Sequence, residues 1–302
     1  VRLRQNIHAF FFSNYFYGVC AIALSIEATL QQQFPFNSLH FYAFCFTTTV
    51  LYYTKAYITE KPSVSPNPRS RWYWENRRAV WLSQVILTIV AAVYLGMLAI
   101  QHYTFILRLP LVDWVLFLVF PVVALLYYGI EQGRFARYRL RNIGWLKPFI
   151  IGFVWAGLVT IYPIMFYNIE NETNYIPNLI GLFLFIKNFM FITVLCIMFD
   201  IKDYAADHNR QLKTFVVKAG LRKTIFLILI PLCIAGLGSF LYYAVTRHFS
   251  YQKILLNVIP FLLLIGVAYS LHRRKSILYY LIVIDGLMLI KALCGSIAML
   301  YF

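Results

Sequence analysis

The sequence predicts an all-α, polytopic membrane protein, and three observations predict it. Of the 302 residues, 61% are hydrophobic and only 13% are charged, about half the charged share of an ordinary soluble domain. The apolar residues gather into nine runs, each close to the roughly 20 residues that cross a bilayer. The basic residues crowd the loops on one side of those runs. One or two soluble cores cannot hide that much apolar surface, and a disordered chain would be far more polar. Aromatic residues make up 19% of the chain, which suits bundle interiors and the belts at membrane interfaces.

The first run, residues 8–30, is too long and too aromatic for a cleaved signal peptide and continues directly into the rest. The second, 36–58, leads into a loop with Lys61, Arg69, Arg71, Arg77 and Arg78. Pro62, Pro66, Asn67 and Pro68 punctuate that loop, so 61–78 is expected to be rigid and non-helical. Its arginines are expected to meet anionic headgroups or to close as a lid. The third and fourth runs, 79–101 and 112–130, flank Arg108. Arg134, Arg137, Arg139, Arg141 and Lys147 follow, then the runs 148–168 and 177–199. Next come Lys202, Arg210, Lys213, Lys218, Arg222 and Lys223, then the runs 224–246 and 253–271 with Arg247 and Lys253 between them. Arg273, Arg274 and Lys275 precede the ninth run, 277–301.

Counted by side, 21 basic residues lie on one side and three on the other. Lys and Arg collect in cytoplasmic loops. The N-terminus is therefore expected inside and the C-terminus outside, in a multi-pass protein of a bacterial cytoplasmic membrane. The same rule accounts for the net charge of +16, which in a soluble chain would point to nucleic acid; no nucleic-acid partner is expected. Residues 1–302 read as one domain. Cys20, Cys45, Cys196, Cys233 and Cys294 lie in apolar segments without a CxxC pair, so they read as small hydrophobes with no disulfide or zinc site.

Three of the eleven acids end the sixth run: Asp200, Asp203 and Asp207. On a continuing helix these offsets put all three on one face. Lys202 points elsewhere and is not expected to neutralise them. Like charges at this spacing repel. One reading is a Mg²⁺ site, since Mg²⁺ takes one or two carboxylates together with water and phosphate oxygens. The other is a solvated helix end bridged to Arg210, Lys213 or loop arginines. An internal echo favours a site. "LYYTKAYITE", ending the second run, laid over "MFDIKDYAAD" puts Lys55 on Lys202, Tyr57 on Tyr204 and Glu60 on Asp207. Tyr53 and Ala56 then stand opposite Asp200 and Asp203. Two related halves facing a shared cavity are a recurring membrane pattern.

With these residues in view, the sequence resembles the UbiA family of intramembrane aromatic prenyltransferases. The second acidic motif of many members looks like D-x-x-D-Y-x-x-D. Here that is Asp200, Asp203, Tyr204 and Asp207, followed by Lys213, Thr214 and an apolar run to Gly220. "LRNIGWLKPFIIGFVWAGLVTIYP" also looks like the corresponding family stretch. The resemblance implies nine helices around a central, lipid-accessible cavity with a cytoplasmic mouth. It implies transfer of an isoprenyl group from its diphosphate to a lipophilic aromatic or other electron-rich acceptor, with Mg²⁺ as cofactor. Asp200, Asp203 and Asp207 would be the catalytic metal ligands. The first acidic motif is reduced to Glu60, so one ion is better supplied with ligands than two. Arg141, Lys147 and Lys202 would contact phosphate, Lys55 would stand in for a lost cation, and Tyr53, Tyr57 and Tyr204 would offer aromatic faces. The alternative on the same scaffold is a catalytically silent protein that binds an isoprenoid or another lipid.

Four further ionisable residues lie inside apolar runs, where such groups normally face a partner or the bundle interior. Glu27 is expected to reach water at the end of the first run, and Asp285 to make a structural hydrogen bond. Lys187 and Lys291 motivate a transporter reading, weakened by the concentration of polar residues at one mouth. Asp285 and Lys291 are six apart and are not expected to pair. His208 borders the acidic cluster as a candidate proton acceptor.

Overall fold

The computed structural model describes residues 8–58, 68–128, 143–176, 179–209 and 213–302. Every regular element among them is helical. In chain order they are α1 (Tyr15–Gln32), α2 (Leu39–Ile58), α3 (Pro68–Glu75), α4 (Arg77–Gln101), α5 (Tyr103–Leu107), α6 (Leu111–Tyr128), α7 (Lys147–Ala156) and α8 (Tyr162–Asn171). They continue with α9 (Leu179–Asn209), α10 (Phe215–Ala219), α11 (Leu221–Lys223), α12 (Ile230–Thr246), α13 (Tyr251–Ser270), α14 (Ile277–Tyr279) and α15 (Gly286–Tyr301). Wider π turns at Gly157–Ile161, Thr224–Leu229 and Tyr280–Ile284 join α7 to α8, α11 to α12 and α14 to α15. Helix starts follow local chemistry: the Thr214, Ser250 and Ser276 side chains accept from the backbone N–H groups of Val217, Lys253 and Tyr279, which satisfies donors a first turn leaves unpaired.

Among the described residues, six helical stretches are long and apolar enough to cross a membrane: Arg77–Gln101, Lys147–Asn171, Leu179–Ala205, Leu221–Thr246, Tyr251–Ser270 and Ile277–Tyr301. In the first of these only 22% is buried, and Trp81, Ile86, Ile89, Val93 and Ile100 all face outward. Apolar surface that extensive is stable only against lipid or a partner. The chain is a polytopic, all-α membrane protein.

The chain forms two compact units, Val1–Ala23 with Phe36–Leu109 and Phe166–Tyr175, and Leu24–Pro35 with Pro110–Met165 and Ile176–Phe302. In the first, α2 packs against α4. Phe166 lies 5.3 Å from Phe41 and 5.2 Å from Phe44, and Phe44 lies 5.4 Å from Tyr94, ring centre to ring centre. Glu170 accepts hydrogen bonds there from Ser38 at 2.6 Å and Tyr94 at 2.7 Å. In the second unit α9 packs along α7, α6 covers α7, and α13 lies against α12 and α15. Its core includes Ile197, Met198, Ile225, Leu229, Leu264, Ile284 and Leu287.

Three expectations are corrected. The proline-rich stretch is helical over Pro68–Glu75; Pro68 opens that helix, where its fixed φ helps and its missing N–H is not needed. Residues 59–67 lie outside the described residues. Arg69 is not at a lipid surface but 4% exposed. Glu27 does not reach water: it is 1% exposed, for a reason given below. No disulfide joins any of the five cysteines, and Cys20, Cys45 and Cys233 are buried.

Candidate functional site

The acidic cluster sits on the last turns of α9, which continues helical through Asp200, Asp203 and Asp207 to Asn209. Asp200 is fully buried and Asp207 is 8% exposed, while Asp203 lies nearer the surface. Lys147, the first residue of α7, donates to Asp200 Oδ1 at 2.7 Å. The other oxygen, Asp200 Oδ2, is buried and has no hydrogen-bond partner. Lys202 reaches Asp203 Oδ1 at 2.9 Å. This corrects the expectation that Lys202 leaves the face alone: the flexible four-carbon stem folds back where helical angles alone would point it away.

The loop before α7 is held close to the Lys213–Thr214 segment. A Cβ on Gly144 would lie 2.8 Å from the Thr214 nitrogen and 2.9 Å from the Lys213 carbonyl carbon, so only glycine fits this approach. The contact fixes the start of α7, and with it Lys147, beside the end of α9. Two stretches singled out by the sequence, "IGWLK" and "KT", thus meet. Tyr204 is exposed, with His208 6.0 Å from its ring centre.

Among the described residues no group of three or more His, Cys, Asp or Glu side chains is placed to hold a metal ion. The three aspartates therefore do not form a three-ligand cage; lysine ammonium groups engage two of them instead. One Mg²⁺ needs only one or two carboxylates when phosphate and water supply the rest, and the unpartnered Oδ2 of Asp200 is an oxygen of that kind. The residues fit a single ion completed by its ligand.

The remaining predicted site residues fall in the first unit or outside the described residues. Tyr53 stacks on Tyr17 at 4.5 Å, and Lys55 is exposed near the end of α2. Glu60 and Arg141 lie outside the described residues. In the same unit the Arg69 guanidinium donates to the Phe12 carbonyl at 3.0 Å, to Tyr57 at 3.2 Å and to Asn14 Oδ1. It also lies 4.5 Å over the Tyr57 ring, and Tyr57 stacks on Tyr73 at 4.9 Å. Asn14 adopts φ 68°, a conformation asparagine tolerates better than most residues, and from there donates to Thr54 and Tyr73. Burial pushes the Tyr73 phenol up to about 12, against the opposing pull of Arg69. This network fastens α3 to the start of the chain and is structural.

The second unit holds another charged cluster that the sequence reading did not assemble. Lys291 donates to Glu27 Oε2 at 2.5 Å across 264 residues of chain. Lys187 lies 3.7 Å from Glu27 Oε1, which also accepts from Gln31 at 2.8 Å. That explains the burial of Glu27. Each residue was visible as an intramembrane charge, but spacing along one helix cannot reveal a pairing made across three. Beside the cluster a cavity of about 430 Å³ is lined by residues of α9, α12 and α13, including Lys187. Comparison with protein-family models, with curated proteins and with solved structures gives no match to this chain.

Proposed function

We propose that this protein is a UbiA-type prenyltransferase, with nine spans around a central cavity. It would move an isoprenyl group from an isoprenyl diphosphate to an aromatic or other electron-rich acceptor. Described helices overlap each of the nine apolar runs, which supports the span count. The observation that carries the reading is the buried Asp200, clamped by Lys147 through one oxygen and left with a second oxygen unpartnered. A fully buried carboxylate half satisfied is costly, and it has a use where a cation or a protonated group must be held.

In the reaction the allylic C–O bond breaks and the diphosphate leaves with the electron pair. C1 of the isoprenyl group bonds to the acceptor carbon, which then loses a proton. One bound Mg²⁺, held by Asp200 and Asp203, would neutralise charge gathering on the leaving diphosphate. Lys147 and Lys202 are ammonium groups already fixed beside these carboxylates, able to turn a donor toward phosphate oxygens. Tyr204 offers an aromatic face to a developing cation.

One observation favours the silent lipid-binding alternative: lysines already balance Asp200 and Asp203 without a metal. A titration of the purified protein with isoprenyl diphosphates of several lengths, with and without Mg²⁺, separates the two. The transferase reading expects binding of diphosphate and Mg²⁺ to strengthen each other, since linkage is reciprocal, and expects Asp203→Asn to weaken both. Diphosphate binding that ignores Mg²⁺ and Asp203→Asn would favour the silent protein.

A further inference from the structure

Buried charge in apolar surroundings is tolerated when it is balanced. The Glu27 cluster is not balanced, because one carboxylate faces two ammonium groups. Lys291 is 4% exposed and takes Glu27 Oε2 at 2.5 Å. Oε1 already accepts from Gln31, so Lys187 is left with a 3.7 Å contact to it and a 3.5 Å bond to the neutral Asn257. Of the three, Lys187 alone lines the neighbouring cavity. The surplus positive charge therefore faces that space.

The walls are mainly apolar, with Phe183, Phe191, Phe240 and Phe261 among them. Among the described residues no carboxylate lines the cavity, and its other charged side chains are Arg247 and Lys253. Arg247 is exposed. A volume of about 430 Å³ lies within the range of small-ligand sites, about 300–1,000 Å³, and an apolar wall with few polar groups is their usual lining.

We propose that this cavity binds a single-chain amphiphile carrying one carboxylate, a long-chain fatty acid in form. The carboxylate meets the Lys187 ammonium, and the alkyl chain lies along the phenylalanine wall. The surplus ammonium of the Glu27 cluster gives one carboxylate its place, and the cavity's size selects one chain. The proposal is independent of the diphosphate site, which lies at the Asp200 end of α9.

The test is displacement of a fluorescent palmitate analogue from the purified full chain in a non-ionic detergent. Palmitate, hexadecanol, phosphatidylglycerol and an isoprenyl diphosphate serve as competitors. Palmitate is expected to compete best. Lys187→Gln is expected to weaken its binding about tenfold or more, the worth of a buried charge-assisted hydrogen bond. Glu27 keeps Lys291 in that variant, so the cluster becomes neutral and the fold is expected to persist. Ser239→Trp, which fills the cavity from α12 and leaves all three charges in place, is expected to abolish binding. Equal competition by hexadecanol, better competition by phosphatidylglycerol, or unchanged affinity in either variant would overturn the proposal. Diphosphate binding at the Asp200 cluster is expected to survive Lys187→Gln, so failure of one reading is distinguishable from failure of the other.

Discussion

Replacing Glu27 by glutamine keeps the side chain's size and removes its charge. The carboxylate is 1% exposed and holds Lys291 at 2.5 Å and Lys187 at 3.7 Å. Its removal leaves the buried Lys291 and the half-buried Lys187 ammonium groups without this counter-charge. Stripping one partner from a buried pair typically costs about 3–5 kcal/mol, and here mutual repulsion of the lysines puts Glu27→Gln at the upper end. Lys291→Met is expected to cost less, about 1–3 kcal/mol, because Glu27 retains Lys187. Lys187→Met removes the longer contact and the surplus charge together, so it is expected to be near neutral, within about 1 kcal/mol. Thermal unfolding in detergent, followed by intrinsic fluorescence, reads the order. At about 2–4 °C per kcal/mol, Glu27→Gln is expected to lose roughly 10 °C or more. The Glu27→Gln/Lys291→Met double variant is expected to recover part of that loss, because the second substitution removes a stranded charge. Equal losses at Lys187 and Lys291, or a double variant as unstable as the sum of its parts, would refute the charge-balance argument.

Gly295 packs against the same carboxylate: a Cβ there would lie 2.4 Å from Glu27 Oε1. Gly295→Ala is expected to lower stability by about 1–3 kcal/mol, whereas Gly266→Ala, with nothing within 4 Å of its Cβ position, is expected to raise it by up to about 1 kcal/mol; melting curves of the two compare them. Arg69→Lys keeps the charge and loses the guanidinium fork that serves Phe12, Tyr57 and Asn14, so it is expected to cost about 2 kcal/mol, with faster proteolysis near α3 as a second readout. The positive-side count expects a reporter fused after Phe302 to lie on the non-cytoplasmic side; a cytoplasmic signal would contradict the nine-span topology.

Membrane class and helical character were legible because they depend on composition and run length, which are local quantities. Continuation of α9 through Asp207 was legible as well, since nothing between Cys196 and Asn209 breaks a helix. Helix α3 was missed because Pro68 read as a breaker, although at a first helical position it is a starter. Lys202 was missed because spacing rules describe where Cβ points and not where a long flexible stem can return. The Lys147 pairing with Asp200 and the Glu27 cluster were missed for a different reason. Each joins residues far apart in sequence, and which spans become neighbours is decided by packing at positions such as Gly144 and Gly295.

Two of the buried carboxylates of the second unit, Glu27 and Asp200, ask for opposite things. Glu27 has both oxygens occupied, by Gln31 and Lys187 on one side and Lys291 on the other, and its cluster carries a surplus ammonium. Asp200 has one oxygen on Lys147 and one without a partner, so its cluster lacks a donor or a cation. Lys187 and Asp200 are on the same helix, and thirteen residues at 1.5 Å each separate them by roughly 20 Å. That exceeds the screening distance of about 8 Å that operates at physiological salt where solvent reaches, so each cluster answers to its own surroundings. An anionic headgroup would complete the first cluster, and a metal-bound or protonated group would complete the second. A ligand that met both demands would have to span α9 from one cluster to the other, and the cavity at Lys187 is sized for a single chain and bordered by no carboxylate among the described residues. The two proposed sites are therefore separable and opposite in charge preference, and the Lys187→Gln and Asp203→Asn variants are expected to act on one each.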